Sequence, residues 1–559
     1  MKVKILLIFL ACIFSANAQS PPVTLQEVMV AHVNTTFFLA GETLRFQLYC
    51  LDKNSRSPSS VSKIGYVELV DSNSKPLARI KVRLNDGIGN GDFFFNENFP
   101  SGNYTFVAYT RWMNNFGEEN IFRVPLTVIN PQLRPAVGGQ APQEVFAQPS
   151  ADLNAGKHGS ISINKRQFSF RELVDVELGN SDSVALITSV SVRAADPELT
   201  AVDPWRDILR RPSLSTPLEQ INSVPDFRSE LITGIIRQKS DGQPLAGKLV
   251  TLSSPSQEYG FVVSTTDKNG RYYFNLPQAD ATLLLLGVDG YTLDDLTIGH
   301  DDGFLTDYSS FTSKALELDT SYRSLIARRY LPMQVENAFY GVKRDSIMPT
   351  QGAGKFFSHA EKRYQLDDFT RFPSMDDVFR EIVPEVVVRS REGNYSLTLV
   401  NSATGFRFEN QPLILVDGIP VYDANTIMKY DPALIKAIDL VTQRYYYGGL
   451  QANGIISIET YDGDAKSLPV ENFFRIDHVA PLPTKVHYSP RYDRDQSLQR
   501  IPDFRTQLYW NAAVRIEAGS KKRLSFFTGD LTGSYVVEVV GVNSQGELIW
   551  WRDKFEVKE

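Results

Sequence analysis

The chain has 559 residues, a formal net charge of −7, and 42% hydrophobic and 22% charged residues. That length exceeds one hydrophobic core, so roughly three to five modules are expected. Near-average composition argues against extensive disorder, and the sequence holds no Lys/Arg block able to release counterions from a nucleic acid.

The first stretch, MKVKILLIFLACIFSANAQS, has a basic tip at Lys2 and Lys4, an apolar run from Ile5 to Phe14, and small residues at Ala16 and Ala18. This is the layout of a cleaved secretory signal, residues 1–18, with cleavage after Ala18 favoured. The alternative, acylation of Cys12 within FLAC, leaves an apolar core of only about seven residues, the bottom of the usual range. Past this segment no apolar run approaches the roughly 20 residues of a spanning helix, so membrane association is expected to be indirect. Cys50 then stands alone in ETLRFQLYCLD and reads as a small buried hydrophobe on a strand.

Most of the remaining chain alternates at period two between turns. Residues 22–130 carry FFLAGETLRFQLYC, then GYVELVDSNSKPLARIKVRLNDGIGNGDFFF, then PSGNYTFVAYTRWMNNFGEENIFRVPLTVINP. Gly41 to Thr43 reads as a turn into an alternating strand, and Trp112 as the large anchor of a sandwich core. The Gly-rich run Asn85 to Asp92 opens no helix, and a hairpin turn accounts for it better than a phosphate or calcium loop. A Pro/Gly/Gln-rich linker is expected over 131–154, a second strand set over 155–200 (GSISINKRQFSFRELVDVELGN and VALITSVSVRAAD), and another linker over 201–230. In 231–310, Gly242 and Pro244 turn one strand pair, and DKNG, Asp267 to Gly270, turns the next into RYYF.

Helical signals concentrate in the second half. The connecting segment 311–366 contains TSYRSLIARRYLPM, which places Leu325, Ile326 and Tyr330 on one face and is expected to close at Pro332. Within 367–464, Ser374 and Asp377 form a capping-box arrangement that ends at Pro384, and Asp431 caps a short helix with Pro432 in its first position. That helix feeds the strand Ile438 to Thr442. A Pro-rich linker is expected over 465–500, and a closing strand set over 501–559, punctuated by EAGSKK, GDLTGS and NSQGE.

These segments carry resemblances. Residues 22–130, and by a shorter match 155–200 and 501–559, resemble macroglobulin-type β-sandwich domains of the alpha-2-macroglobulin family. Residues 231–310 resemble the carboxypeptidase regulatory-like domain, a transthyretin-like β-sandwich with no catalytic residues. Residues 367–464 resemble the plug of TonB-dependent outer-membrane transporters, through LILVDGIPV, Tyr447-Gly448 and Ala452-Asn453-Gly454; those glycines also read as turn residues that let two strands pair closely. The expected fold class is mainly β and multidomain: several macroglobulin- or immunoglobulin-like β-sandwiches plus one small mixed α/β plug-like domain. The order of units resembles modular Gram-negative envelope proteins.

No catalytic constellation stands out. The six histidines, His32, His158, His300, His359, His478 and His487, include no pair at metal-ligand spacing. No Gly-x-Ser-x-Gly elbow occurs, and Cys50 has no Gln three residues on, which a macroglobulin-type thioester would need. No enzyme activity, cofactor or metal is therefore expected. A transporter barrel of about 22 strands, each crossing with 9–11 residues, needs several hundred residues after its plug. Only 95 residues follow Asp464, and no TonB-box-like segment opens the mature chain.

The expectation is a non-catalytic scaffold or accessory subunit that docks on an outer-membrane β-barrel complex, with periplasmic and cell-surface faces both open. The alternative is a surface module that binds glycan or host protein, with non-covalent protease binding less favoured. Candidate partner contacts are Tyr445, Tyr446 and Tyr447, and Trp550 and Trp551, weighed against core packing of alternate rings.

Overall fold

The computed structural model describes residues 25–133, 159–196, 221–255, 260–276, 282–316, 322–339, 341, 343–349, 354–465 and 468–559. The expected export signal and most of the linkers 131–154 and 201–230 lie outside these residues. The fold is mainly β and multidomain.

Residues 25–133 form a two-sheet sandwich. One sheet runs in the order Phe37–Leu39, Phe122–Ile129, Gly102–Tyr109, Ile64–Val70, Pro76–Arg83; the other runs Glu27–Val33, Thr43–Asp52, Ile88–Phe94. Alternation along these strands turns Phe46 and Phe106 toward each other edge-on, while Tyr49 and Tyr109, each three residues farther along, face the opposite way, Tyr109 stacking on its cross-strand partner Tyr66; all five are fully buried. The run from Asn85 makes a tight turn closed by Asn85 and Ile88, with positive φ at Asp86 and Gly87, and carries the chain from one sheet to the other. Cys50 is free and fully buried on Thr43–Asp52, and burial pushes its thiol pKa up. Trp112 is buried outside the main core cluster, contrary to its expected role. Its Nε1 donates to the Leu25 carbonyl at 3.0 Å and its ring meets Phe116 edge-on.

The strand sets expected as two separate sandwiches, 155–200 and 501–559, form a single one. Leu186–Ala194 lies between Gln507–Ile516 and Gly533–Asn543 in a five-stranded sheet that continues to Leu548–Val557 and Gln167–Phe168. The facing sheet is Lys521–Phe527, Leu173–Asn180, Gly159–Ile163. The reason is burial: each set has too few strands to cover both faces of a sandwich, and the central strand of one sheet comes from the other end of the chain. Gly533–Asn543 is buried on both faces, with Tyr535, Val537 and Val539 in this core and Val540 and Val542 in the N-terminal one. That double burial explains its near-continuous apolar run.

A third sandwich has the sheets Arg271–Leu276, Glu230–Gln238, Leu296–Asp301 and Gly260–Thr265, Leu249–Ser254, Leu283–Val288, Phe474–Asp477. Its last strand comes from 465–500, which was expected to be a linker. Phe474 and Ile476 alternate toward the core there, a short signal masked by the surrounding prolines. Farther on, Lys485–Val486 pairs with Ser346–Ile347 as a two-stranded ribbon. Residues 221–230, also expected in a linker, carry the fully buried Asp226 and the buried Glu230.

The helix Tyr322–Ala338 runs through Pro332 instead of closing there. Leu325, Arg329 and Met333, one helical face, are buried on both sides of the proline. The two leucine-sized side chains pack on Phe37, Leu39 and Ile129, while Arg329 pairs with Glu42 at 2.7 Å and Asp196 at 3.0 Å. Docking therefore outweighs the roughly 3 kcal/mol that an interior proline costs.

The mixed α/β unit has a sheet ordered Lys362–Gln365, Ile435–Val441, Ile455–Thr460, Leu413–Val416, Ile419–Pro420, with Leu413–Val416 parallel to Ile455–Thr460. Ser374 accepts from the Asp377 N–H and starts a short helical segment, and Asp431 caps the expected short helix, a single 3₁₀ turn with Pro432 first. Asp417 is buried at φ 45° and accepts hydrogen bonds from Thr460 N and Oγ1 and from Ala465 N, which locks the turn into Ile419–Pro420.

Candidate functional site

The three candidate tyrosines lie on the strand Tyr445–Tyr447, paired with Leu450–Ala452. Alternation splits them. The rings of Tyr445 and Tyr447 pack on Phe356, and their hydroxyls donate to the Phe356 and Phe261 carbonyls at 3.1 and 3.4 Å. Both therefore belong to the seam between the α/β unit and the third sandwich. Tyr446 points the other way and is 66% exposed. Sequence reasoning missed Phe406, 78% exposed on the adjoining turn, which is tied to this end of the unit by the Ser402 N–H to Thr442 Oγ1 bond.

Neither tryptophan forms a surface platform. Trp551 is 3% exposed inside the discontinuous sandwich, while Trp550 leaves the opposite face to pack against the N-terminal core. The Trp550 Nε1 donates to Glu538 Oε1 at 2.8 Å, and the Arg552 guanidinium stacks 4.8 Å over its ring. Among the described residues, no three His, Cys, Asp or Glu side chains group to hold a metal ion.

A cleft of about 2080 Å³ opens between the N-terminal sandwich, the discontinuous sandwich and the helix Tyr322–Ala338. Its walls carry eleven Lys and Arg against eight Asp and Glu. Most cations there are partnered: Arg45 with Asp345, Lys343 with Glu336, Arg552 with Glu538. Arg193 is held more loosely, its Nη1 donating to the Ala194 carbonyl at 3.4 Å. Its closest carboxylate, Asp196, is 3.9 Å away, and its buried Nε has no hydrogen-bond partner among the described residues. Burial pushes the Arg193 pKa down; Glu538 and Asp196 offset this in part, and the Arg329 and Arg552 charges add to it. His487, held to Asp345 at 3.2 Å, is kept down to about 4 by burial and the Arg45 charge, so its ring is neutral at pH 7.

The rim of the cleft is apolar. Phe94, Leu331 and Ile347 line it and are exposed, and Val486, paired with Ser346, adds to the same ribbon. Sequence periodicity gave no sign of this site, because its walls come from segments hundreds of residues apart.

No family model matches the chain, and no curated protein matches it. Among solved structures the chain is similar to Salmonella alpha-2-macroglobulin reacted with methylamine, at 10% identity and a TM-score of 0.24, over 97% of this chain and 40% of that one. Likeness to the native conformation of E. coli alpha-2-macroglobulin is 10% identity and a TM-score of 0.25, again over 97% and 40%. The adhesin InvE of Yersinia pseudotuberculosis aligns over 49% of this chain and 57% of its own, at 10% identity and a TM-score of 0.13. This chain thus spans about 40% of the length of the bacterial macroglobulins it aligns with. Superpositions this loose leave function to be argued from the residues.

Proposed function

We propose that the chain is a non-catalytic scaffold of the Gram-negative envelope that docks on an outer-membrane β-barrel complex. In this reading the α/β unit is a plug-like module and 231–310 a carboxypeptidase regulatory-like one. The observation that carries it is the fate of the residues after Asp464. Phe474–Asp477 completes the third sandwich, and Gln507–Ile516, Lys521–Phe527, Gly533–Asn543 and Leu548–Val557 complete the discontinuous one. These strands pair within the two sandwiches and none closes around the α/β unit, which in this reading serves as a docking surface. Its exposed end, with Tyr446 and Phe406, offers aromatic anchors of the kind that dominate interfaces. No helix among the described residues is long and apolar enough to cross a membrane, which accords with attachment through a partner.

The test is gentle solubilisation of envelopes containing tagged protein, after crosslinking in cells. A β-barrel protein should co-migrate, and Tyr446→Ser with Phe406→Ser should reduce the crosslink without lowering stability. Migration as a lone monomer sinks the proposal. The alternative of surface glycan binding now rests on Tyr446, since the other four candidate rings are committed to packing. Glycan-array binding lost in Tyr446→Ser would favour it.

A further inference from the structure

We propose that the cleft between the N-terminal sandwich, the discontinuous sandwich and the helix Tyr322–Ala338 seats an extended, acidic segment of a partner protein that also carries apolar side chains. This goes beyond the docking of the α/β unit and holds whichever complex that unit joins.

Size points to a polymer. At about 2080 Å³ the cleft is roughly twice the upper end of small-molecule pockets, which run ~300–1,000 Å³. Charge sets its sign. The walls hold three more cations than anions, the Arg193 guanidinium reaches Asp196 only at 3.9 Å while that carboxylate sits closer to Arg329, and Lys554 projects exposed from the strand Leu548–Val557. A carboxylate entering beside Arg193 would supply the counter-charge that its surroundings leave incomplete, in a setting screened less than open surface.

The rim selects the kind of polyanion. Leu331 and Ile347 are 62% and 63% exposed and line the cleft together with Phe94, 47% exposed. A sulfated or phosphorylated glycan would satisfy the cations and leave these side chains in water. A polypeptide that alternates acidic and apolar residues would cover both. Extended backbone also has somewhere to pair: the ribbon Ser346–Ile347 with Lys485–Val486 has only two strands, and each leaves one edge without a strand partner among the described residues.

Panning a random peptide display library against the full chain tests this. Enrichment of Asp/Glu interleaved with apolar residues is expected, with binding that weakens as salt rises. Leu331→Asp and Lys554→Glu, both on exposed side chains, and Arg193→Ala should each weaken the selected peptide by about tenfold or more, while the melting profile of the two exposed-site variants stays that of the parent. Absence of acidic enrichment overturns the inference. So does a selected peptide that binds all three variants as tightly as the parent, or one fully displaced by dextran sulfate whose own binding is indifferent to Leu331→Asp. That last result would make the cleft a polyanion site.

Discussion

The hydroxyl of Tyr49, on the N-terminal sandwich, lies 2.9 Å from both Ser189 Oγ and the Val540 carbonyl of the discontinuous sandwich. Burial pushes this phenol's pKa well up, so it stays a donor, and His32 Nδ1 meets the same serine at 2.7 Å. The seam is thus a buried polar network within an apolar one. Tyr49→Phe and Ser189→Ala should each destabilise by ~1–3 kcal/mol, since each leaves buried partners unsatisfied. The double variant should cost less than the sum. Urea melts of the three proteins measure it; strict additivity would show that the two side chains act independently.

A discontinuous sandwich predicts cooperative loss. Residues 501–559 expressed alone should not fold, because the strand Leu186–Ala194 that pairs with both Gln507–Ile516 and Gly533–Asn543 is missing. Adding a peptide of 159–196 should restore β structure by circular dichroism. A stably folded 501–559 fragment would contradict the shared sheet.

Asp226 should make stability fall as pH rises. Burial pushes its carboxyl up to about 7, against the Leu231 N–H bond and the Arg111 charge. Between the unfolded value near 4 and about 7, the folded state holds a proton that the unfolded state has lost. This group's contribution is then full below about pH 4 and declines toward pH 7, by on the order of 1 kcal/mol per pH unit. Asp226→Asn keeps an acceptor for Leu231 N–H and should flatten that decline, read from melts at pH 4, 5.5 and 7.

Glu459 titrates the other way. Burial alone would raise its carboxyl, but the Lys436 and Arg363 hydrogen bonds and the Lys355 charge bring it down to about 2. Its contribution is present above the unfolded value near 4.5 and lost as pH falls toward 2. Glu459→Gln should therefore destabilise by ~1–2 kcal/mol at pH 7, and the difference should vanish near pH 2.

Gly41 should resist substitution. It turns at φ +103°, and an added Cβ would fall on the Met333 side chain of the helix Tyr322–Ala338. Gly41→Ala should cost ~1–3 kcal/mol and speed proteolysis within that helix. An unchanged cleavage rate would mean that the helix is held without this contact.

Much of the local structure was legible from residue patterns. The turn at Asp267 to Gly270, the cap at Ser374 and the burial of Cys50 each follow from a few neighbouring residues, and the folded chain has them. Pro332 shows the limit of such rules, since the helix persists because its buried face is anchored on both sides. The tryptophan pair shows another: alternation says that Trp550 and Trp551 point to opposite faces, and only the packing of two sandwiches makes both faces interior.

By itself the sequence determined a β-rich, multidomain chain, where many strands and turns begin and end, and that rings within Tyr445–Tyr447 must face alternate ways. Tertiary structure decided which strands share a sheet, that two distant strand sets close one sandwich, and that a cationic cleft opens beside it. Period-two alternation is a property of adjacent residues, whereas strand partnership is chosen by which surfaces, far apart along the chain, bury one another most completely.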